Sequence, residues 1–231
     1  MNVWLLFSLV LVGAYLLGSI PAAYLAARWW GGVDLRKVGT RNVGSSNVLH
    51  TVSKWVAIPV LLFDIGKGAL AVIIARLLGL EVAIQVAAGI AAIIGHNWPV
   101  FLGFQGGRGI ATSLGVVLAL SLPIGIIILV GSYLFAPFKQ HGLGVFVVVF
   151  LLPFLGWFFA GPFGIEERVP TTIGFVAITV IGFARRIIHR RCELSRATPA
   201  VELILNRLLF DRDIRDRKAW LRRDQADAPQ A

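Results

Sequence analysis

Hydrophobic positions in this chain gather into long unbroken runs near residues 3–27, 55–79, 82–101, 109–135, 142–160 and 170–184. The short polar stretches between them are rich in glycine, proline and basic residues. Runs of this length with so few charges predict membrane-spanning helices. The fourth run is too long for one span, and Leu122-Pro123 interrupts it just after Ser121. Proline removes a backbone donor and clashes with the preceding turn, so this run reads as two spans, 109–121 and 124–136. Thirteen residues rise only about 20 Å, short of the ~30 Å hydrocarbon core. Neighbouring helices must therefore shield the pair. The expected fold is an all-α polytopic bundle of about seven short transmembrane helices.

Composition agrees. Apolar residues make up 57% of 231 positions, charged residues 15%, and mean hydropathy is +0.80; a soluble domain carries about 25% charged residues. The net charge of +10 raises the question of nucleic acid, but the basic residues flank apolar runs. Anionic lipid headgroups explain them better, and no nucleic-acid partner is expected. Seven spans put Arg28, Arg36, Lys37, Arg41, Lys54, Arg108, Lys139 and the cluster Arg185, Arg186, Arg190, Arg191 on one face. By the positive-inside tendency that face is cytoplasmic, with the N-terminus outside and the C-terminus inside. Arg76, near the outer end of the second span, is an exception attributed to snorkelling. Cys192, the sole cysteine, excludes an intramolecular disulfide, and no cleavable signal is evident.

Two units are expected: a bundle over 1–190 and a basic cytoplasmic tail over 191–231. Thr198-Pro199 suits the start of a helix. Val201, Ile204, Leu205, Leu208 and Leu209 follow at helical spacing, which predicts an amphipathic helix on the inner leaflet or against the bundle. Asp224 to Ala231 reads as a frayed end.

Three polar places on the cytoplasmic face carry candidate chemistry. The loop 31–54 holds Thr40, Arg41, Asn42, Ser45, Ser46, Asn47 and His50. These hydroxyls, amides and cations suit phosphate oxygens and polyol hydroxyls, although a glycine-rich polar loop with Asn and Ser caps accounts for them equally well. Asp64 and Lys67 sit i, i+3 inside an apolar span, where a self-compensating ion pair is the favoured reading. Lys67, read as about one and a half turns from the cytoplasmic end, is also a candidate for reaching a ligand. Finally, Gly95-His96-Asn97-Trp98-Pro99 leads into Gly106-Gly107-Arg108-Gly109 and Thr112 at the start of a span. A helix N-terminus offers unpaired donors and partial positive charge to a phosphate, and absent Cβ atoms let backbone approach an anion. His96 is either a loop brace or a general base.

Other chemistries are not indicated. No His-x4-Asp follows His50 or His96. No Gly-x4-Gly-Lys-Ser/Thr, His-Glu-x-x-His or Gly-x-Ser-x-Gly occurs. Four His and one Cys do not cluster as a metal site requires, so neither metal nor cofactor is expected.

Four ordered segments carry a family resemblance: Gly18-Ser19-Ile20-Pro21-Ala22-Ala23-Tyr24-Leu25, the stretch Val33 to Val48, Asp64-Ile65-Gly66-Lys67-Gly68, and Gly95-His96-Asn97-Trp98-Pro99-Val100-Phe101 through Gly106-Gly107-Arg108-Gly109-Ile110-Ala111-Thr112. Together they resemble the acyl-phosphate-dependent glycerol-3-phosphate acyltransferases of the PlsY type. The resemblance implies transfer of a fatty acyl group from acyl phosphate to the 1-hydroxyl of glycerol 3-phosphate. The products would be lysophosphatidic acid and phosphate, in phospholipid synthesis at the inner (plasma) membrane, with the active site facing the cytoplasm. It implies a reaction centre at Thr40, Arg41, Asn42, Ser45, Asn47 and His50. Lys67, His96, Gly106, Gly107, Arg108, Gly109 and Thr112 would bind substrate. Membrane lipid surrounds such an enzyme, and a monomer is expected.

The chain departs from the family pattern at identifiable places. Gly39-Thr40-Arg41-Asn42 stands where the family has Gly-Ser-Gly-Asn, and His50 stands where it has arginine. Gln105 and Arg108 replace family lysines. The final His-x-x-Asn-x-x-Arg-Leu-like signature is broken, with Cys192 three residues after His189. Arg41 is expected to replace the cation lost at position 50. These changes leave open a diverged homologue with another acceptor, or one that binds phospholipid without turnover. A small permease for phosphorylated compounds would need a polar path through both leaflets, whereas the polar groups gather at one face.

Overall fold

The computed structural model describes residues 3–188 and 195–220. Among these it is entirely helical, with no strand. The elements are α1 (Val3–Gly18), α2 (Ala22–Gly31), α3 (Ser45–Thr51), α4 (Lys54–Leu77), α5 (Val82–Asn97), a 3-10 turn (Val100–Leu102), α6 (Ile110–Leu120), α7 (Leu122–Tyr133), α8 (His141–Phe158), α9 (Arg168–Ile187) and α10 (Ala200–Phe210). Five stretches are long and apolar enough to cross a membrane: Trp4–Gly31, α4, Val82–Leu102, α8 and α9. The helices α6 and α7 are apolar but shorter. Large apolar side chains cover the outside as well as the core; Trp4, Leu62, Ile173 and Val180 are all more than half exposed. Lipid tails accept such a surface, so these helices show little contrast between faces.

The first apolar run is not one helix, as expected, but two. Pro21 has no N–H to give, and the chain breaks across Ser19 and Ile20 before α2 resumes with Leu25 N donating to Pro21 O. The break is held deep among other helices because α1 and α5 touch closely. A Cβ at Gly18 would strike Ala92 O, and one at Gly95 would strike Tyr15 O. Small residues at such crossings let helix backbones meet.

The interruption after Ser121 falls where Leu122-Pro123 predicts it. Ser121 is extended (φ −153°) between α6 and α7, and its hydroxyl donates to Phe163 O at 2.9 Å. Val116, Val117, Ile124, Ile128, Val148, Leu152, Phe175 and Ile178 form the main core, joining α6 and α7 to α8 and α9. Arg76 does not need to snorkel: it donates to Gln85 Oε1 at 3.2 Å and to Ala119 O at 2.7 Å, satisfying a carbonyl in the last turn of α6.

The tail helix α10 begins at Ala200, one residue later than Thr198-Pro199 implied, and carries no side-chain cap. It packs on α8 and α9 and buries Leu203, Asn206 and Arg207. The apolar face expected from spacing points elsewhere: Val201, Ile204 and Leu205 are exposed. Arg207 explains the orientation. Its guanidinium forms two hydrogen bonds to Asp213 (2.8 and 3.1 Å) and one to Ile187 O (2.6 Å), so the polar edge is the one anchored to the bundle. The expectations for His189, Cys192 and residues 224–231 lie outside the described residues.

Candidate functional site

The loop between α2 and α4 is organised by one neutral amide. Asn47, fully buried in α3, accepts from Thr40 N at 2.9 Å and donates to Leu35 O at 3.2 Å and Val38 O at 3.0 Å. Leu35 is buried beside it as the apolar anchor. Asp34 holds Arg36 by two side-chain hydrogen bonds (2.7 and 3.0 Å), and this partner keeps the Asp34 carboxyl below its ordinary pKa. The Arg36 guanidinium also lies 5.1 Å from the Tyr24 ring centre. Around this frame Thr40, Arg41, Asn42 and Ser45 are half-buried. Arg41 has φ +55°, in the left-handed region that glycine occupies most cheaply, which is the physical reason a glycine suits this position. His50 is exposed in the last turn of α3. Partial burial, and secondarily Arg217 from the tail, push its pKa below the ordinary histidine value, so it is neutral at and above neutral pH.

Behind the loop lies a buried ionic frame. Lys67 Nζ is 2.8 Å from Asp64 Oδ1, as the i, i+3 spacing suggested, and donates to Ile20 O at 3.1 Å. His96 Nδ1 is 3.4 Å from the same Asp64 oxygen. All three side chains are almost fully buried. Lys67 is not one and a half turns from the helix end: α4 starts at Lys54, thirteen residues or about 20 Å earlier. What reaches Lys67 is the α1–α2 break, whose Ile20 carbonyl accepts its hydrogen bond. Ser19, Pro21, Val43, Asp64, Lys67, His96 and Gly106 enclose a cavity of about 10 Å³, room for a single water.

The glycine segment rests directly on this frame. Gly107 N donates to His96 O at 3.1 Å, and a Cβ at Gly107 would collide with His96 Nε2 and Val43 O. Gly109, at φ +74°, opens α6 with no side-chain cap. Ser113 N is the first amide bonded back along the helix, to Gly109 O, so the donors of residues 110–112 are the ones a helix N-terminus leaves over. Thr112 is fully buried, with its carbonyl packed where a Cβ on Gly68 would fall. Arg108 is largely covered and is ion-paired with Asp211.

Two of the three polar places therefore meet through Val43 and Gly107, on one side of the bundle. Gly106, Gly107, Gly109 and Arg108 stand at that junction, with Thr40, Arg41 and Asn42 on the loop that forms its other wall. Lys67, His96, Asn47 and Thr112 are buried behind it. Residues that sequence reasoning missed are Arg185 and Asp211. Arg185, at the end of α9, donates to Gly106 O (3.2 Å) and Gly107 O (2.8 and 3.1 Å) and lies 5.0 Å from the Trp98 ring centre. In the sequence its charge is explained by topology alone. Only its bonds to the carbonyls of Gly106 and Gly107 mark it, and the sequence does not display contacts so far apart. Among the described residues no group of His, Cys, Asp and Glu is placed to hold a metal.

A model of the glycerol-3-phosphate acyltransferase family matches residues 8–193. The chain belongs to this family. Glycerol-3-phosphate acyltransferase 5 of Dehalococcoides mccartyi (strain ATCC BAA-2266 / KCTC 15142 / 195) is 43% identical over 228 residues, 98% of this chain and 97% of the relative. Glycerol-3-phosphate acyltransferase 4 of strain CBDB1 is 43% identical over 220 residues, 95% of each. Among solved structures, PlsY, an integral membrane glycerol 3-phosphate acyltransferase, superimposes in its glycerol 3-phosphate form. The TM-score is 0.69 at 30% identity, over 84% of this chain and 99% of that one. Its lysophosphatidic acid form gives 0.67 at 28% identity, over 78% and 87%. Family membership and the apolar helices make this chain an integral membrane protein of an acyltransferase family. The segments that carried the resemblance in the sequence are those that converge around Val43 and Gly107.

Proposed function

We propose that this protein transfers a fatty acyl group from acyl phosphate to the 1-hydroxyl of glycerol 3-phosphate, releasing lysophosphatidic acid and inorganic phosphate for phospholipid synthesis. The observation that carries the reading is the junction at Val43 and Gly107, where the hydroxyl- and amide-bearing loop meets an uncapped helix N-terminus and Arg108. In the reaction the acceptor hydroxyl oxygen bonds to the acyl carbon, the bond from that carbon to the phosphate oxygen breaks, and the departing phosphate takes the proton. No strong side-chain base is needed. His96 is packed against Gly107 and braced by Asp64, which suits a support better than a base.

In this reading Thr40, Asn42 and Ser45 line the reaction centre, and Asn47 fixes the loop that presents them. Arg41 supplies the cation that a neutral His50 does not. Arg108 and the leftover amides at the start of α6 receive the phosphate of glycerol 3-phosphate on backbone donors and a guanidinium fork beside Gly106, Gly107 and Gly109, while Lys67, His96 and Thr112 hold them in place. Positioning and charge stabilisation then supply most of the rate. An apolar cleft begins beside this segment at Ile110, Ser113 and Leu114 and continues between α7, α8 and α9, which supports a substrate with an acyl chain. Seven spans with the N-terminus outside put the junction on the cytoplasmic face of the plasma membrane, with a monomeric bundle over 1–190 and a basic tail beyond it.

The test is purified protein supplied with acyl phosphate and glycerol 3-phosphate while phosphate release is followed. Release that depends on the acceptor is expected. Absence of acceptor-dependent release across several chain lengths and acceptor alcohols would sink the reading.

A further inference from the structure

The family match ends at residue 193, yet the segment beyond it enters the candidate site. α10 is pinned through Arg207, which Asp213 and Ile187 O hold, and Arg186 donates to Leu208 O at 2.6 Å. The chain then turns at Asp211, a non-glycine residue at φ +61°. Its carboxylate pairs with the Arg108 guanidinium, and its other oxygen lies 3.8 Å from Arg186 Nε. A carboxylate and a phosphate are alternative partners for one guanidinium fork. The Asp211 side chain is 26% exposed, so the carboxylate is not locked onto the guanidinium by burial, and leaving the left-handed conformation relieves some backbone strain.

From this geometry we infer that Asp211 is an internal competitor for the acceptor phosphate. Its carboxylate holds Arg108 until a phosphate monoester dianion displaces it, and so sets the protein's affinity for the acceptor. The inference rests on the acceptor role given to Arg108 above. It concerns the phosphate of glycerol 3-phosphate and not that of the acyl donor, whose phosphate has the same chemistry.

The experiment measures steady-state KM for each substrate in the full-length protein and its Asp211→Asn variant. At saturating acyl phosphate the variant's KM for glycerol 3-phosphate falls about threefold, the scale of one partly exposed ion pair, while its KM for acyl phosphate stays fixed. In an Arg108→Ala background the Asp211→Asn change has no further effect on acceptor KM. An acceptor KM that is unchanged or raised overturns the inference, and so does a fall in donor KM instead. Phosphate release that fails in both proteins sinks the acyltransfer reading rather than this one. Calorimetric titration with inorganic phosphate then reads the contact directly, with tighter binding by Asp211→Asn expected and equal binding overturning it.

Discussion

The two walls of the candidate site are held up by opposite means. The α2–α4 loop hangs on a neutral side chain, Asn47, whose amide joins three backbone groups. The glycine segment rests on an ion pair, with Asp64 and Lys67 below it, His96 against Asp64, and Arg185 across its carbonyls. A neutral frame leaves the loop's outward residues at liberty to vary, which is where Arg41 and His50 depart from the family pattern. An ionic frame at this depth has no such freedom, since each charge depends on its partners.

The largest effect is therefore expected at Asp64. Asp64→Asn leaves the buried Lys67 without its counter-charge, and breaking a buried pair in this way costs about 3–5 kcal/mol. Thermal unfolding in detergent should show it as a large loss of stability, with His96 and the glycine segment disturbed together. A variant as stable as the parent would mean that the pair is not the support described here. Asn47→Ala comes next. It removes three hydrogen bonds at roughly 1 kcal/mol each, and its signature differs. Turnover should collapse because Thr40 loses its anchor, while the bundle itself, measured by the same unfolding assay, loses less than in Asp64→Asn. Gly107→Ala should disturb fold and site together, because the new Cβ meets the buried His96 ring and Val43 O at the junction itself, an overpacking that costs about 1–3 kcal/mol. A raised acceptor KM is the readout, and an unchanged one would remove the glycine segment from the acceptor site.

The contrast also accounts for what could be read in the sequence. Spans were legible because lipid imposes long apolar runs, and the α6–α7 break was legible because Pro123 announces it. The α1–α2 break is hard to infer although Ser19 and Pro21 stand there, because the apolar run continues on both sides without a charged residue. The Asp64–Lys67 pair followed from i, i+3 spacing. By contrast, the places of Arg185 and Asp211 depend on contacts 78 and 103 residues away in sequence, for which no local pattern exists. The orientation of α10 is open in the sequence for a related reason. Apolar spacing favoured Val201, Ile204 and Leu205, but the buried Arg207–Asp213 pair decides which face turns inward.

The smallest expected effect separates Arg41 from His50. Arg41 occupies a left-handed conformation that costs a non-glycine residue roughly 1 kcal/mol, and glycine would relieve it while giving back part of the gain as chain entropy. Arg41→Gly should thus leave stability nearly unchanged but lower turnover through the lost cation, and adding His50→Arg should restore it. Failure of the double variant to recover turnover would end the idea that the two positions share one charge. His50 itself contributes no charge at neutral pH. Its pKa is lowered by partial burial and by Arg217, so the folded protein disfavours the protonated ring. The stability linked to it is present in full above the ordinary histidine pKa and is lost progressively as pH falls from there through the lowered folded value. Pairing the pH–rate profile of the parent with that of His50→Gln checks this. The two should superimpose above neutrality and separate only on the acid side, where the parent alone acquires a proton; separation above neutrality would return His50 to the role of phosphate-neutralising cation.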